Sequence, residues 1–278
     1  MKSLTFRGMN VLFVGEIVGK PGITCAKKIK DLREKHHVDF VIANAEGATG
    51  GFGLGKAHAI QLHKLGIDVL TGGEKIYFKL DMVDFIAKNN WILRPANYPA
   101  GNPGRGIRIY PVGEKNLVVI NLLGTSSFNR VHLNNPFGLI QTTLEKMKNE
   151  IEHPVFLVQF HASTTAEKQT MGFMLDGQVS AVIGTHTKVM SADARILAGG
   201  TAYITDNGRT GSQMSIGGFA NDVELRKVLT SIPERSRENW NQLELQAVLV
   251  RIGDDAKATA IEPIKVACEN PGMPEGNE

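Results

Sequence analysis

Cysteine is nearly absent from this chain. The two present in 278 residues, Cys25 and Cys268, lie far apart and have the spacing of neither a zinc site nor a disulfide framework. Free thiols in a reducing compartment are the expectation. Long apolar runs are missing too: none approaches the ~20 residues of a membrane span. The first apolar stretch, Val11 to Val14, is too short for the core of a signal peptide. A cytoplasmic protein with no membrane association is therefore expected. Charge of one sign is not in excess either. A net charge of +3 with scattered basic residues gives no argument for nucleic acid, while small anionic ligands stay compatible. Several fingerprints are also lacking: there is no Gly-x-Ser-x-Gly elbow of a serine hydrolase, no G-x-G-x-x-G and no G-x-x-x-x-G-K-[ST]. Gly51-Phe52-Gly53-Leu54-Gly55-Lys56 has only the look of a phosphate loop and reads as a glycine-rich turn entering a helix.

With 42% hydrophobic residues the chain can bury a substantial core. A single domain is expected over 1–266. The tail 267–278 has no apolar period and is expected to be disordered. Short apolar runs followed by turn residues predict buried strands at Asn10 to Val14, Phe40 to Ala43, Val69 to Leu70, Leu117 to Leu122, Val155 to Phe160, Val179 to Ile183 and Thr201 to Ile204. Amphipathic segments predict helices at Ile23 to His36, Lys56 to Leu65 and Pro136 to Ile151. Leu243 to Ile252 and Thr259 to Pro263 alternate like antiparallel strands. The alternation predicts an α/β protein with a two-layered sheet core flanked by helices. Glycines follow most of the strands, at Gly15, Gly47, Gly72 with Gly73, Gly124, Gly184 and Gly208. Ligands of such folds bind beyond the carboxyl ends of strands, so one cleft is expected to collect these turns.

The same strand ends carry the charged residues: Glu16, Glu46, Glu74, His161 and His186, with Lys75 and Lys188 beside two of them. Carboxylate oxygen and imidazole nitrogen suit zinc, manganese or iron. The two ammonium groups also suit a buried salt-bridge network that needs no metal. Gly184-Thr185-His186-Thr187-Lys188 sharpens the choice, because a His-x-His pair would send two imidazoles into one cleft and this segment sends one imidazole and one cation. His36, His37, His58, His63, His132 and His153 share none of this context and are expected at the surface. Ser231 to Gln242, with Arg235, Arg237 and Trp240, reads as a solvated loop around one buried tryptophan, with a partner surface as the alternative.

Six stretches taken together carry a resemblance: Val14-Gly15-Glu16-Ile17-Val18-Gly19-Lys20-Pro21-Gly22, Asn44-Ala45-Glu46-Gly47-Ala48, Leu93-Arg94-Pro95-Ala96-Asn97-Tyr98-Pro99, Phe160-His161-Ala162, Gly184-Thr185-His186-Thr187 and Ala202-Tyr203-Ile204-Thr205-Asp206. In this order they resemble the YmdB-like metallophosphoesterases, a branch of the calcineurin-like phosphoesterases. The resemblance implies the calcineurin-like fold with a small cap region and homo-oligomers. It also implies a cleft in which two metal ions hydrolyse phosphodiesters such as cyclic nucleotides.

By the same resemblance Glu46, His161 and His186 match metal ligands, Glu46 bridging. The departures are Glu16 for an aspartate, Gly47 for an asparagine, Glu74-Lys75 for Asn-His and Lys188 for a histidine. They imply no metal on the Glu16 side and at most one divalent ion (Fe, Mn or Zn) held by Glu46, Glu74, His161 and His186. Lys75 stands where the family has its proton-donating histidine, and an ammonium is a poorer general acid near neutrality. The leading expectation is therefore a weak or inactive homologue that binds a nucleotide, a phosphate or a protein partner. The alternative is an active phosphodiesterase on cyclic nucleotides or RNA ends that uses one metal or rearranged ligands.

Overall fold

The computed structural model describes residues 8–128 and 133–270. In chain order the elements are β1 (Met9–Val14), β2 (Glu16–Ile17), α1 (Gly19–Cys25), a 3-10 turn (Ala26–Lys28), α2 (Ile29–Lys35), β3 (Phe40–Asn44), α3 (Lys56–Lys64), β4 (Val69–Thr71), α4 (Leu80–Ala87) and β5 (Ile92–Leu93). There follow β6 (Ile107–Val112), β7 (Lys115–Leu123), α5 (Pro136–Glu150), β8 (Pro154–His161), α6 (Thr165–Met174) and β9 (Ala181–Thr185). The last third holds β10 (Arg195–Ile196), β11 (Ala202–Ile204), β12 (Arg209–Ser212), α7 (Asn221–Thr230), β13 (Leu243–Ile252) and β14 (Ala258–Cys268).

Two sheets result. One runs β2-β12-β13-β1-β3-β4-β5 with β14 on β13, and the other runs β10-β11-β9-β8-β7-β6. Strict alternation along the strands explains why they stack. In β1, Val11 and Phe13 face the second sheet, while Leu12 and Val14 face α1 to α4. In β7, Leu117 and Val119 face the first sheet, while Val118, Ile120 and Leu122 pack with Ile140 of α5 and Met171 of α6. Strands buried on both faces are continuous apolar runs. Three apolar layers therefore separate four layers of structure, helices outside and two sheets within. This is the α/β arrangement of a two-layered sheet core flanked by helices that the sequence predicts.

Most predicted strands are present, with shifted ends: the strand expected at Val179 begins at Ala181, and Thr259 to Pro263 is the middle of the longer β14. Ala267 and Cys268 of the expected tail belong to that strand, and residues 271–278 lie outside the described residues. Helices α4, α6 and α7 add to the expected set. The segment 231–242 is irregular, and half-buried Trp240 packs on the first core. His37, His63 and His153 are exposed and His36 and His58 half-buried, while His132 lies outside the described residues. Cys25 and Cys268 meet at the end of α1, where the contact and burial push the Cys25 thiol well above the ordinary range; neither forms a disulfide. Among the described residues no helix is long and apolar enough to cross a membrane.

The parallel strands β1, β3 and β4 of one sheet and β7, β8, β9 and β11 of the other point their carboxyl ends at a shared edge. There the inward positions turn polar. Following Leu157 on β8, Gln159 donates to Thr71 across the gap, and Asn121 on β7 donates to the carbonyls of Gly72 at 2.8 Å and Leu93 at 3.1 Å. Beneath this edge Lys168 of α6 is 1% exposed and its Nζ lies 2.8 Å from Oδ2 of the equally buried Asp206. Asp206 also accepts the backbone N–H of Thr187 at 2.9 Å and of Gly208 at 2.9 Å. Removing one partner of a buried pair strands the other's charge, at a cost of about 3–5 kcal/mol. Lys168→Met should lose that much stability in urea denaturation, and a loss below about 1 kcal/mol would show that the pair is not structural.

Candidate metal centre

Each strand end delivers one group to the edge. His161 closes β8 at its last inward position and is fully buried. Its Nδ1 lies 2.9 Å from Thr185 Oγ1 and 3.2 Å from Asn44 Nδ2, and Asn44 Nδ2 lies 3.3 Å from the same hydroxyl. This polar shelf fixes the ring, leaving Nε2 toward the cleft. There Glu74 Oε2 and His186 Nδ1 each lie 3.1 Å from Nε2. The donor atoms of Glu74, His161 and His186 all fall within 4.8 Å of one another. Phe128 covers the pair, its ring centroid 5.1 Å from that of His186 and 6.2 Å from that of His161.

The backbone is bent to make this possible. His186 has φ 103 and Lys188 φ 62, and residues with side chains occupy such conformations at a cost of about 1–3 kcal/mol each. Asp206 holds the N–H of Thr187 between them. Gly73 is required by close approach: a Cβ there would lie 2.3 Å from His161 Cδ2.

Glu46 sits just past the end of β3 among the same groups. It is 1% exposed, and its two oxygens accept the backbone N–H groups of Gly73 (2.5 Å) and Lys75, which ties the turn after β4 to the end of β3. The three-donor group does not include it. Lys75 Nζ sits 2.9 Å from Glu74 Oε1, and Lys188 Nζ sits 3.2 Å from Oε1 of the 1% exposed Glu16. That second contact is an ion pair without hydrogen-bond geometry, since neither Glu16 oxygen has a hydrogen-bonding partner among the described residues.

Charges settle accordingly. Burial pushes the Glu46 carboxyl up, aided by the nearby negative charge of Glu74, to about 7. Burial works against protonation of His161, yet the hydrogen bond and charge of Glu74 prevail and raise it. Glu74 is lowered despite burial, because His161 and Lys75 flank it. His186 is driven down to about 3 by burial and by charged His161, so it is neutral with a lone pair on Nδ1. Lys75 is raised, Glu74 and Glu46 outweighing burial.

The donor chemistry fits a divalent ion. Two imidazoles and a carboxylate from three separate strand ends form a half-shell of nitrogen and oxygen that suits zinc, manganese or iron. With its Nδ1–H given to Thr185, His161 can present an Nε2 lone pair, the arrangement in which an outer partner fixes the tautomer of a ligand.

The decisive finding is one of kinship: the model of the YmdB-like proteins matches residues 12–264. This chain belongs to that family. It is 36% identical over 260 residues to the 2′,3′-cyclic-nucleotide 2′-phosphodiesterase of Bacillus subtilis (strain 168), covering 93% of this chain and 97% of that one. Among solved structures, a phosphatase of Mycoplasma pneumoniae superposes with TM-score 0.89 at 30% identity, covering 96% of each chain. A 5′-nucleotidase precursor of Thermus thermophilus superposes with TM-score 0.61 at 10% identity over 94% of this chain and 55% of that one, which speaks for the fold alone. Within the YmdB-like family reading, Asn44, Thr185, Lys168 and Phe128 are supporting residues that strand-end charges alone did not mark; Asn44 and Thr185 lie inside the family-like stretches, and Lys168 and Phe128 had no such signal.

Metal binding must displace the proton shared by His161, Glu74 and His186. Apparent affinity for Mn²⁺ should therefore rise with pH, and calorimetry in buffers of different ionisation enthalpy should detect proton release. Gly73→Ala, which pushes on His161, should weaken that affinity about 10–100-fold. Unchanged affinity in the variant would refute the assigned geometry.

Proposed function

We propose that this YmdB-like protein is a metal-dependent phosphodiesterase acting on nucleotide diesters, with a single divalent ion held by Glu74, His161 and His186. The observation that carries the reading is the convergence of those three donors within 4.8 Å, one of them a neutral imidazole. The relation to a 2′,3′-cyclic-nucleotide 2′-phosphodiesterase supports the substrate class. A bound ion supplies Lewis acidity toward a phosphoryl oxygen and lowers the pKa of a coordinated water.

The remaining chemistry falls to the side chains. Lys188, paired with Glu16, would stand in for the second ion that the resemblance implies. Lysine recognises phosphate as a point charge. Lys75, held charged by Glu74, serves as a second clamp on the anion. Its raised pKa makes it a slow proton donor to a leaving alkoxide, so turnover is limited at that step. Glu46 keeps the turn bearing Glu74 and Lys75 in register.

One observation favours a second reading, an inactive homologue that only binds. Lys75 pairs with Glu74 and Lys188 with Glu16, so two of the carboxylates have cationic partners that are not metal ions. Assays separate the two. Mn²⁺-loaded protein should hydrolyse a nucleoside 2′,3′-cyclic phosphate, His161→Ala should abolish this, and Lys75→His should accelerate it by up to about 10²-fold. Wild-type rates no higher than those of His161→Ala would leave the binding role alone standing.

A further inference from the structure

The loop between β3 and α3 is built rather than loose. Gly53 N–H donates to the Glu46 carbonyl at 2.8 Å, Thr49 N–H to the Gly53 carbonyl at 2.9 Å, and Gly55 N–H to Thr49 Oγ1 at 2.8 Å. At its tip Gly51, with φ +79, lies flat on the Phe219 ring: a Cβ there would come within 2.0 Å of Phe219 Cζ. That close approach lets the next residue, Phe52, stack on Phe219 with centroids 5.8 Å apart and planes at 20°. Phe219 is 8% exposed and serves as the backing, whereas Phe52 remains 43% exposed.

This aromatic pair stands beside the cleft's charges. Lys75 Nζ lies 6.0 Å from the Phe52 ring centre and 2.9 Å from Glu74. Lys188 Nζ lies 5.8 Å from the Phe219 ring centre and 3.2 Å from Glu16. Both ammonium groups thus stand between the buried carboxylates and a rigid apolar surface. A ligand matching the arrangement carries an anion and, one short spacer away, a flat aromatic group. Nucleotides have this form.

We propose that Phe52 is the base-stacking platform of this cleft, receiving the nucleobase of a nucleotide whose phosphate lies against Lys75 and Lys188. The proposal rests on the nucleotide reading of the site and extends it to recognition of the base. Stacking is tolerant of base identity because every base has a π face. The platform therefore adds affinity for nucleotides over plain phosphates and discriminates little among bases.

Binding, measured without turnover, tests this. Adenosine 3′-monophosphate and inorganic phosphate are titrated calorimetrically into Mn²⁺-loaded wild type, Phe52→Ala and Phe52→Tyr, with thermal melting to confirm folding. Expected are tighter binding of the nucleotide than of phosphate by wild type, a loss of about tenfold or more for the nucleotide alone in Phe52→Ala, and retention in Phe52→Tyr. Nucleotide affinity unchanged by Phe52→Ala, an equal fall for both ligands, or no wild-type preference for the nucleotide would overturn the platform. Phe52-dependent binding without hydrolysis would reject the phosphodiesterase reading and leave the platform intact.

Discussion

Burying Glu16 and Glu46, and half-burying Glu74, along one edge of a double sheet imposes a constraint on everything around them. A carboxylate removed from water must be protonated, hydrogen-bonded or paired, because its unpaired charge would cost more than the fold can bear. Each here finds a different solution. Glu46 binds two backbone N–H groups and has its pKa raised toward neutrality. Glu74 takes an imidazolium and an ammonium. Glu16 takes an ammonium alone, with poor geometry.

The ligand-bearing turn after β9 shows how that edge is kept rigid. Positive φ at both His186 and Lys188 is unfavourable, and it persists because the intervening Thr187 N–H is held by Asp206, itself anchored by buried Lys168. The strain aims one side chain at His161 and the other at Glu16. Without the α6 anchor the turn would relax and separate the two, so a lysine that contributes no donor atom governs the geometry of the three-donor group.

Much of this was legible in the sequence. Double-faced apolar runs such as Leu117 to Leu122 and Val155 to Phe160 can only be buried strands, and polar residues at their ends mark the edge. What the sequence did not show follows from physics that is not periodic. Helix α6 has few apolar positions, and its signal was instead the cap, Thr164 accepting from Glu167 N–H. The two backbone N–H groups that the Glu46 carboxylate accepts were hidden as well, because a turn's N–H directions are invisible in sequence. Lys168 looks like any helical lysine until the register of α6 buries it.

The lysines offset two of the edge's carboxylates, Lys75 at Glu74 and Lys188 at Glu16. An ammonium supplies the Coulombic part of a metal's role, offsetting carboxylate charge and attracting phosphate, but it has no empty orbital with which to polarise an oxygen or acidify a water. Under the proposed one-ion reading, the two lysines would hold phosphate while the chemistry would be limited to what an ion at Glu74, His161 and His186 supplies. Because Glu46 fixes the turn that bears Glu74 and Lys75 through its side chain, and begins the loop bearing Phe52 through its carbonyl, these parts move as one. The turn bearing Glu74 and Lys75 and the loop bearing Phe52 are thus tied to the same buried residue.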